Sequence, residues 1–266
     1  MGMGGNRVSR KSWLVTFVLL APLQGVAQEK GGALAAPRLT PGGWSYTGEK
    51  GPAHWGSIRE EFTLCGVGRR QSPIDINRVT PAHEPLLNIH YHTTTTALLR
   101  EPYRLMLEYD PGSYLKIRGQ RYRLVSFDFH TPGEHSFQGS RPDMEIHLHH
   151  LGPQGEPLIL SIPLVGGHRH NVTLGRILEN LPPVDGRVYN RRAGINVLFL
   201  LPRDRSYYTY EGSETRPPCQ ENIQWVVFKN PVRVSWEDIQ RIHAVVGDNN
   251  RPIQPRNGRV VWADEP

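Results

Sequence analysis

Two short runs within residues 126–150, "SFDFH" and "MEIHLHH", alternate apolar with metal-ligating side chains at a period of two. That period belongs to the β-strand, where successive side chains point to opposite faces. Asp128 and His130 then share one face, with Phe127 and Phe129 on the other. Likewise Glu145, His147 and His149 share a face, with Ile146 and Leu148 opposite. If the two strands pair, their polar faces point at one spot. Imidazoles suit zinc, and a catalytic zinc typically takes three protein ligands and keeps one position open for water. Asp128, His130 and His147 make such a set, one oxygen and two nitrogens. Glu134 and Glu145 are placed to orient a ligand through its other ring nitrogen. The competing reading is that these are solvated polar strand faces, and spacing alone leaves both open.

The rest of the chain is mostly strand. "YRLMLEY" (103–109), "YLKIRG" (114–119), "RYRLVSFDFH" (121–130), "MEIHLHHLG" (144–152), "LILSIPLVG" (158–166), "INVLFLLP" (195–202) and "IQWVVFKNPVRV" (223–234) are short, β-branched or aromatic, and bounded by turn residues. "DPGS" (110–113) reads as a hairpin turn. Two helices are expected. Leu174, Ile177, Leu178 and Leu181 fall at helical spacing before Pro182-Pro183, and a second helix follows Ser235, capped with Asp238, to about Val246. The expectation is a mainly β fold with a few short helices, built as a single domain over residues 43–264.

Before that domain, Arg7, Arg10 and Lys11 precede the apolar run Trp13 to Leu23, and small residues follow. Residues 1–27 read as a signal peptide, too short in the apolar part for a membrane span. The Gly-, Ala- and Pro-rich residues 28–42 read as a flexible linker. Removing residues 1–27 lowers the formal charge from +6 to +3. With no basic block left, nothing points to nucleic acid. The two cysteines, Cys65 and Cys219, are expected in an oxidising compartment, as one long-range disulfide or as two buried thiols.

Six motifs in order, "WSYTGEKGPAHWG" (44–56), "CGVGRRQSPIDI" (65–76), "FDFHTPGEH" (127–135), "MEIHLHH" (144–150), "YEGSETRPPCQE" (210–221) and "NNRPIQPRNGR" (249–259), resemble the α-class carbonic anhydrases, especially the secreted bacterial ones. The resemblance implies a large, twisted, mostly antiparallel sheet and a Cys65–Cys219 bridge. It also implies zinc, and reversible hydration of carbon dioxide to bicarbonate in the periplasm or outside the cell. Zinc supplies the nucleophile by lowering the pKa of bound water to about 7. By the same resemblance Thr215 orients that nucleophile and donates to Glu134. His130 and His147 match two zinc ligands, and Glu145 matches the carboxylate holding His147.

The chain also departs from the family pattern. Asp128 stands where the first zinc histidine is expected, and Ser126 where a glutamine supports it. Tyr103 takes the place of the proton-shuttle histidine. His149 and Glu214 replace apolar residues of the cavity wall, Arg216 stands where a second threonine is common, and Tyr46 resembles a residue that lines the cavity. Aspartate ligates zinc at a similar bond length, but on a shorter side chain and with a charge that makes bound water less acidic. Charged walls disfavour a small apolar substrate. Three functions follow: an exported carbonic anhydrase of full or reduced activity; a related binding module without hydratase activity; or, as a minor alternative, a zinc hydrolase or periplasmic metal carrier.

Overall fold

Phe127, Phe129, Ile146 and Leu148 are wholly buried, and the alternation that hides them fixes the centre of the molecule. The computed structural model describes residues 1, 2 and 40–264. The expected signal peptide, residues 1 and 2 apart, and the linker up to residue 39 lie outside the described residues.

Ten strands run along one path of a 13-stranded sheet. They are β1 (Thr80–Ala82), β2 (Thr94–Glu101), β3 (Arg104–Glu108), β4 (Gln120–His130), β5 (Met144–Leu151), β6 (Pro157–Gly167), β7 (Arg187–Ile195), β8 (Tyr207–Ser213), β9 (Glu221–Phe228) and β10 (Trp262–Asp264). Their order is β7-β2-β3-β4-β5-β6-β9-β8-β10-β1. Neighbours are antiparallel except β6 with β9 and β10 with β1. The fold is mainly β with few short helices, as the strand patterns imply.

The central register is specific. Asp128 lies directly across from His147, His130 from Glu145, and Ser126 from His149. A one-residue slip would carry every ligand candidate to the apolar face. On that face the core packs against helix α1 (Val172–Glu179) and helix α2 (Trp236–Val246) through Leu174, Ile177, Ile239 and Ile242. Truncating Phe127 or Phe129 to Ala would cost about 3–5 kcal/mol.

The helix ends follow local chemistry. Ser235 Oγ accepts from the backbone N–H of Asp238 at 3.0 Å. The Asp238 carboxylate does not return the bond; it accepts from His170 and from the Asn171 N–H, each at 3.3 Å. Asn171 caps α1 by accepting from Thr173 and Leu174.

Some sequence expectations need correction. "INVLFLLP" is not a strand: β7 ends at Ile195, and Val197–Leu200 is a 3₁₀ turn capped by the Asn196 side chain. "IQWVVFKNPVRV" is two strands, β9 and Val232–Ser235, the second pairing with β6. The "DPGS" turn does not close a hairpin. The strands flanking it both pair with β4 instead, Glu108 across from Ser126 and Tyr114 across from Arg123. Cys65 and Cys219 form a disulfide across 154 residues, tying the N-terminal segment to the loop after β8.

Candidate metal centre

β4 and β5 carry Asp128, His130 and His147 to one point, where one ligand atom from each lies within 4.8 Å of the others and all three side chains are buried. Two of the three are held by hydrogen bonds that leave a ring nitrogen free. His130 donates from Nδ1 to the carbonyl of Asn249 at 3.1 Å, leaving Nε2 turned towards Asp128 Oδ1 at 3.6 Å. His147 donates from Nε2 to Glu145 Oε1 at 2.8 Å, leaving Nδ1 free.

Glu145 is the anchor of this arrangement. Its Oε1 accepts from His135 at 2.6 Å, Ser161 at 2.6 Å and His147 at 2.8 Å. Its Oε2 accepts from the backbone N–H of Glu134 at 2.8 Å and of His135 at 2.9 Å. Burial opposes ionisation of Glu145, but His135 and His147 outweigh it and hold the carboxyl well below its ordinary value. His135 was not singled out in the sequence, where it follows Glu134 outside any alternating run. It links Glu145 to Tyr210, which pairs in turn with Ser72.

The two ligand imidazoles differ electrically. Burial, followed by the charge on His130, lowers His147 to about 3, so its ring is neutral. Burial also works against charge on His130, but Glu134 and Asp128 more than offset it and raise its pKa to about 9. Burial raises the Glu134 carboxyl, with His130 and the Thr215 hydroxyl opposing. One Glu134 oxygen accepts from the backbone N–H of Arg251 at 3.1 Å; the other is buried without a well-aligned partner.

Asp128 has acquired partners of its own. His149 donates from Nε2 to Oδ1 at 2.9 Å. On the other side, Arg216 Nη1 lies 2.9 Å and Arg104 Nε 3.9 Å from Oδ2. The Arg216 contact is close but off the hydrogen-bond direction, so Oδ2 has no aligned donor. Burial resists the charge on Asp128, yet His149 and Arg216 hold its pKa well below the usual carboxylate range. His149 is thus placed against Asp128, outside the converging ligand atoms. Glu214 and Arg216 flank buried Thr215 on the loop after β8. Tyr46 and Tyr103 pack edge to face at 5.3 Å beside Arg104 and Arg216, and line a common cavity with them. Arg104 carried no signal in the sequence, because only the pairing of Met106 with Asp128 brings it here.

The profile of the eukaryotic-type carbonic anhydrase family matches residues 50–265. The chain belongs to the α-class carbonic anhydrase family. A carbonic anhydrase of Nostoc sp. is 36% identical over 225 residues, covering 82% of this chain and 84% of that relative. The α-carbonic anhydrase of Thermovibrio ammonificans, solved with the inhibitor sulfanilamide, superposes with a TM-score of 0.79 at 34% identity. It covers 82% of this chain and 98% of the other. Dioscorin complexed with ascorbate superposes with a TM-score of 0.77 at 28% identity, over 83% of this chain and 97% of that one. Within this α-carbonic anhydrase chain, the buried Asp128, His130 and His147 stand at the centre of the sheet.

Proposed function

We propose that the chain is an exported zinc carbonic anhydrase that hydrates carbon dioxide to bicarbonate at an Asp128–His130–His147 centre, with turnover lowered by the carboxylate ligand. One observation carries this reading: His130 and His147 are fixed through one ring nitrogen each, so that the other faces Asp128 across a buried gap. Orienting partners of this kind typically accompany metal-ligating histidines. Two imidazoles and a carboxylate oxygen also match the donors zinc takes. Asp128 meets His130 through Oδ1, which also accepts from His149, while Arg216 faces Oδ2, so the arginine need not leave for Asp128 to ligate.

Zinc held there would supply Lewis acidity, lowering the pKa of a water, though less far than the value of about 7 that three neutral imidazoles give. His130 would give up its Nε2 proton on metal binding. Thr215 would align the attacking oxygen and pass its hydroxyl hydrogen bond to Glu134, whose Oε2 is unpaired and able to accept. Glu145 would keep His147 in the required tautomer. Tyr103, which lines the cavity beside Tyr46, is the candidate for proton exchange with solvent. Bacterial relatives and the disulfide support a periplasmic or secreted location.

A second reading, a ligand-binding module without hydratase activity, is favoured by one feature. Arg216 and His149 already neutralise Asp128, as a metal would, and the similar dioscorin is solved with ascorbate. Zinc per chain, measured on untagged protein purified without chelator, separates the two. Near one zinc, lost in His130→Ala and His147→Ala, together with measurable carbon dioxide hydration, supports the enzyme. No zinc after incubation with excess metal overturns it.

A further inference from the structure

Arg104 and Arg216 border two cavities at once. One, of about 240 Å³, is lined by Trp44, Tyr46, Glu101 and Tyr103 as well as the two arginines. The other, of about 250 Å³, carries Ser126, His149 and Glu214 on its wall. The pair therefore forms a partition across the space above the ligand strands.

Its donors are incompletely used. Arg104 spends Nη1 on Glu101 at 3.2 Å and turns Nη2 towards the Met106 sulfur at 2.7 Å, while its buried Nε has no hydrogen-bond partner among the described residues. Arg216 carries five N–H donors, and its ion-pair contact among the described residues is Asp128, through Nη1 alone. One carboxylate oxygen, Oδ2, thus serves two guanidinium groups and is aligned with neither. Like charges held side by side in a partly dry site favour an anion placed between them. On the Tyr46 side, the negative group at the wall, Glu101, is already engaged by Arg104. The aromatic rings there offer flat apolar surface, and the phenols offer donors.

We propose that Arg104 and Arg216, with Tyr46 and Tyr103, form a binding site for a small planar carboxylate in the chamber on the Tyr46 side. A guanidinium fork matches the two oxygens of a carboxylate, which a spherical anion cannot reproduce. The site needs no metal, so it stands apart from the hydratase reading. Its ligand has two sources, an organic carboxylate from outside or bicarbonate made at the metal centre, and both share the recognised group.

The test is calorimetric titration of the metal-free full chain with acetate, benzoate, bicarbonate and chloride at constant ionic strength. Saturable carboxylate binding is expected, weakened about tenfold or more by Arg104→Gln and by Arg216→Gln, as loss of a charge-assisted hydrogen bond implies. Benzoate binding more tightly than bicarbonate identifies an organic ligand; the reverse identifies the product. Asp128→Asn removes the competing internal carboxylate and should tighten binding, an effect that mere structural damage would not produce. No saturable binding by any carboxylate, binding equal to that of chloride, or affinity unchanged in both arginine variants overturns the proposal. Zinc content, measured separately, decides the hydratase reading, so the two can fail independently.

Discussion

Arg251 is almost wholly buried, and its guanidinium ties the C-terminal part of the chain to Cys65 and to the Gln71-Ser72 stretch. Nη1 donates to Gln71 Oε1 at 2.8 Å and to the Ser72 carbonyl at 2.9 Å; Nη2 donates to the Cys65 carbonyl at 2.9 Å. Replacing it with Met keeps the backbone bond to Glu134, but removes the guanidinium from over the Trp55 ring and leaves those three acceptors buried and unpaired. At about 1.5–3 kcal/mol for each bond to a charged donor, the gross loss is about 4.5–9 kcal/mol. Against this stands the relief of no longer burying the charge. Burial pushes the Arg251 pKa down to about 10, equivalent to about 3 kcal/mol. Arg251→Met should therefore lose about 1.5–6 kcal/mol. Urea unfolding checks this, with a lower midpoint and an unchanged slope. At roughly 2–4 °C per kcal/mol for a domain of this size, Tm should fall by about 3–24 °C. Arg251→Lys, with one compact head group, should recover only part. A loss below about 1 kcal/mol for the Met variant would refute the reasoning, and would mean that the three acceptors find other donors.

Three further expectations follow from the same kind of accounting. Burial lowers His150 to about 3 from its ordinary 6.5, while Tyr91 holds its Nε2 at 2.7 Å. The neutral ring therefore contributes fully above pH 6.5, and that contribution shrinks as pH falls towards 3. Relative to His150→Phe, the wild type should lose about 2 kcal/mol between pH 7 and pH 5 in chemical denaturation; parallel curves would refute it. Reducing the Cys65–Cys219 disulfide, which spans 154 residues, should lower stability by up to about 5 kcal/mol on the chain-entropy account, read from the denaturation midpoint with and without reductant. Glu145→Gln presents an amide N–H₂ to a site that now receives five donors, and metal affinity measured by chelator competition should fall about 10–100-fold.

The alternation in "SFDFH" and "MEIHLHH" made the central strand pair legible, because a period of two with large apolar residues admits few other readings. The helix cap at Ser235 was legible for a similar reason: it depends on residues three apart. What escaped were relations set by pairing across the sheet. Val197–Leu200 has a strand's composition, but the Asn196 side chain turns it. Arg104 reaches Asp128 because β3 lies beside β4, which no local pattern states. His135 and Arg251 were missed because each acts by joining distant segments. His135 reaches Tyr210 across 75 residues, and the Arg251 guanidinium reaches Cys65 across 186.

The company Asp128 keeps also bears on whether the site can revert. Exchanging Asp128 alone for histidine, the residue the family pattern expects, would set a third imidazole against His149 and strip Arg216 and Arg104 of their shared oxygen. The residue that looks like a single defect is locked in place by its neighbours, as a pawl locks a wheel. Asp128→His should therefore destabilise the chain on its own and raise zinc affinity only when Arg216 is removed with it. Restoration has to pass through the arginine first.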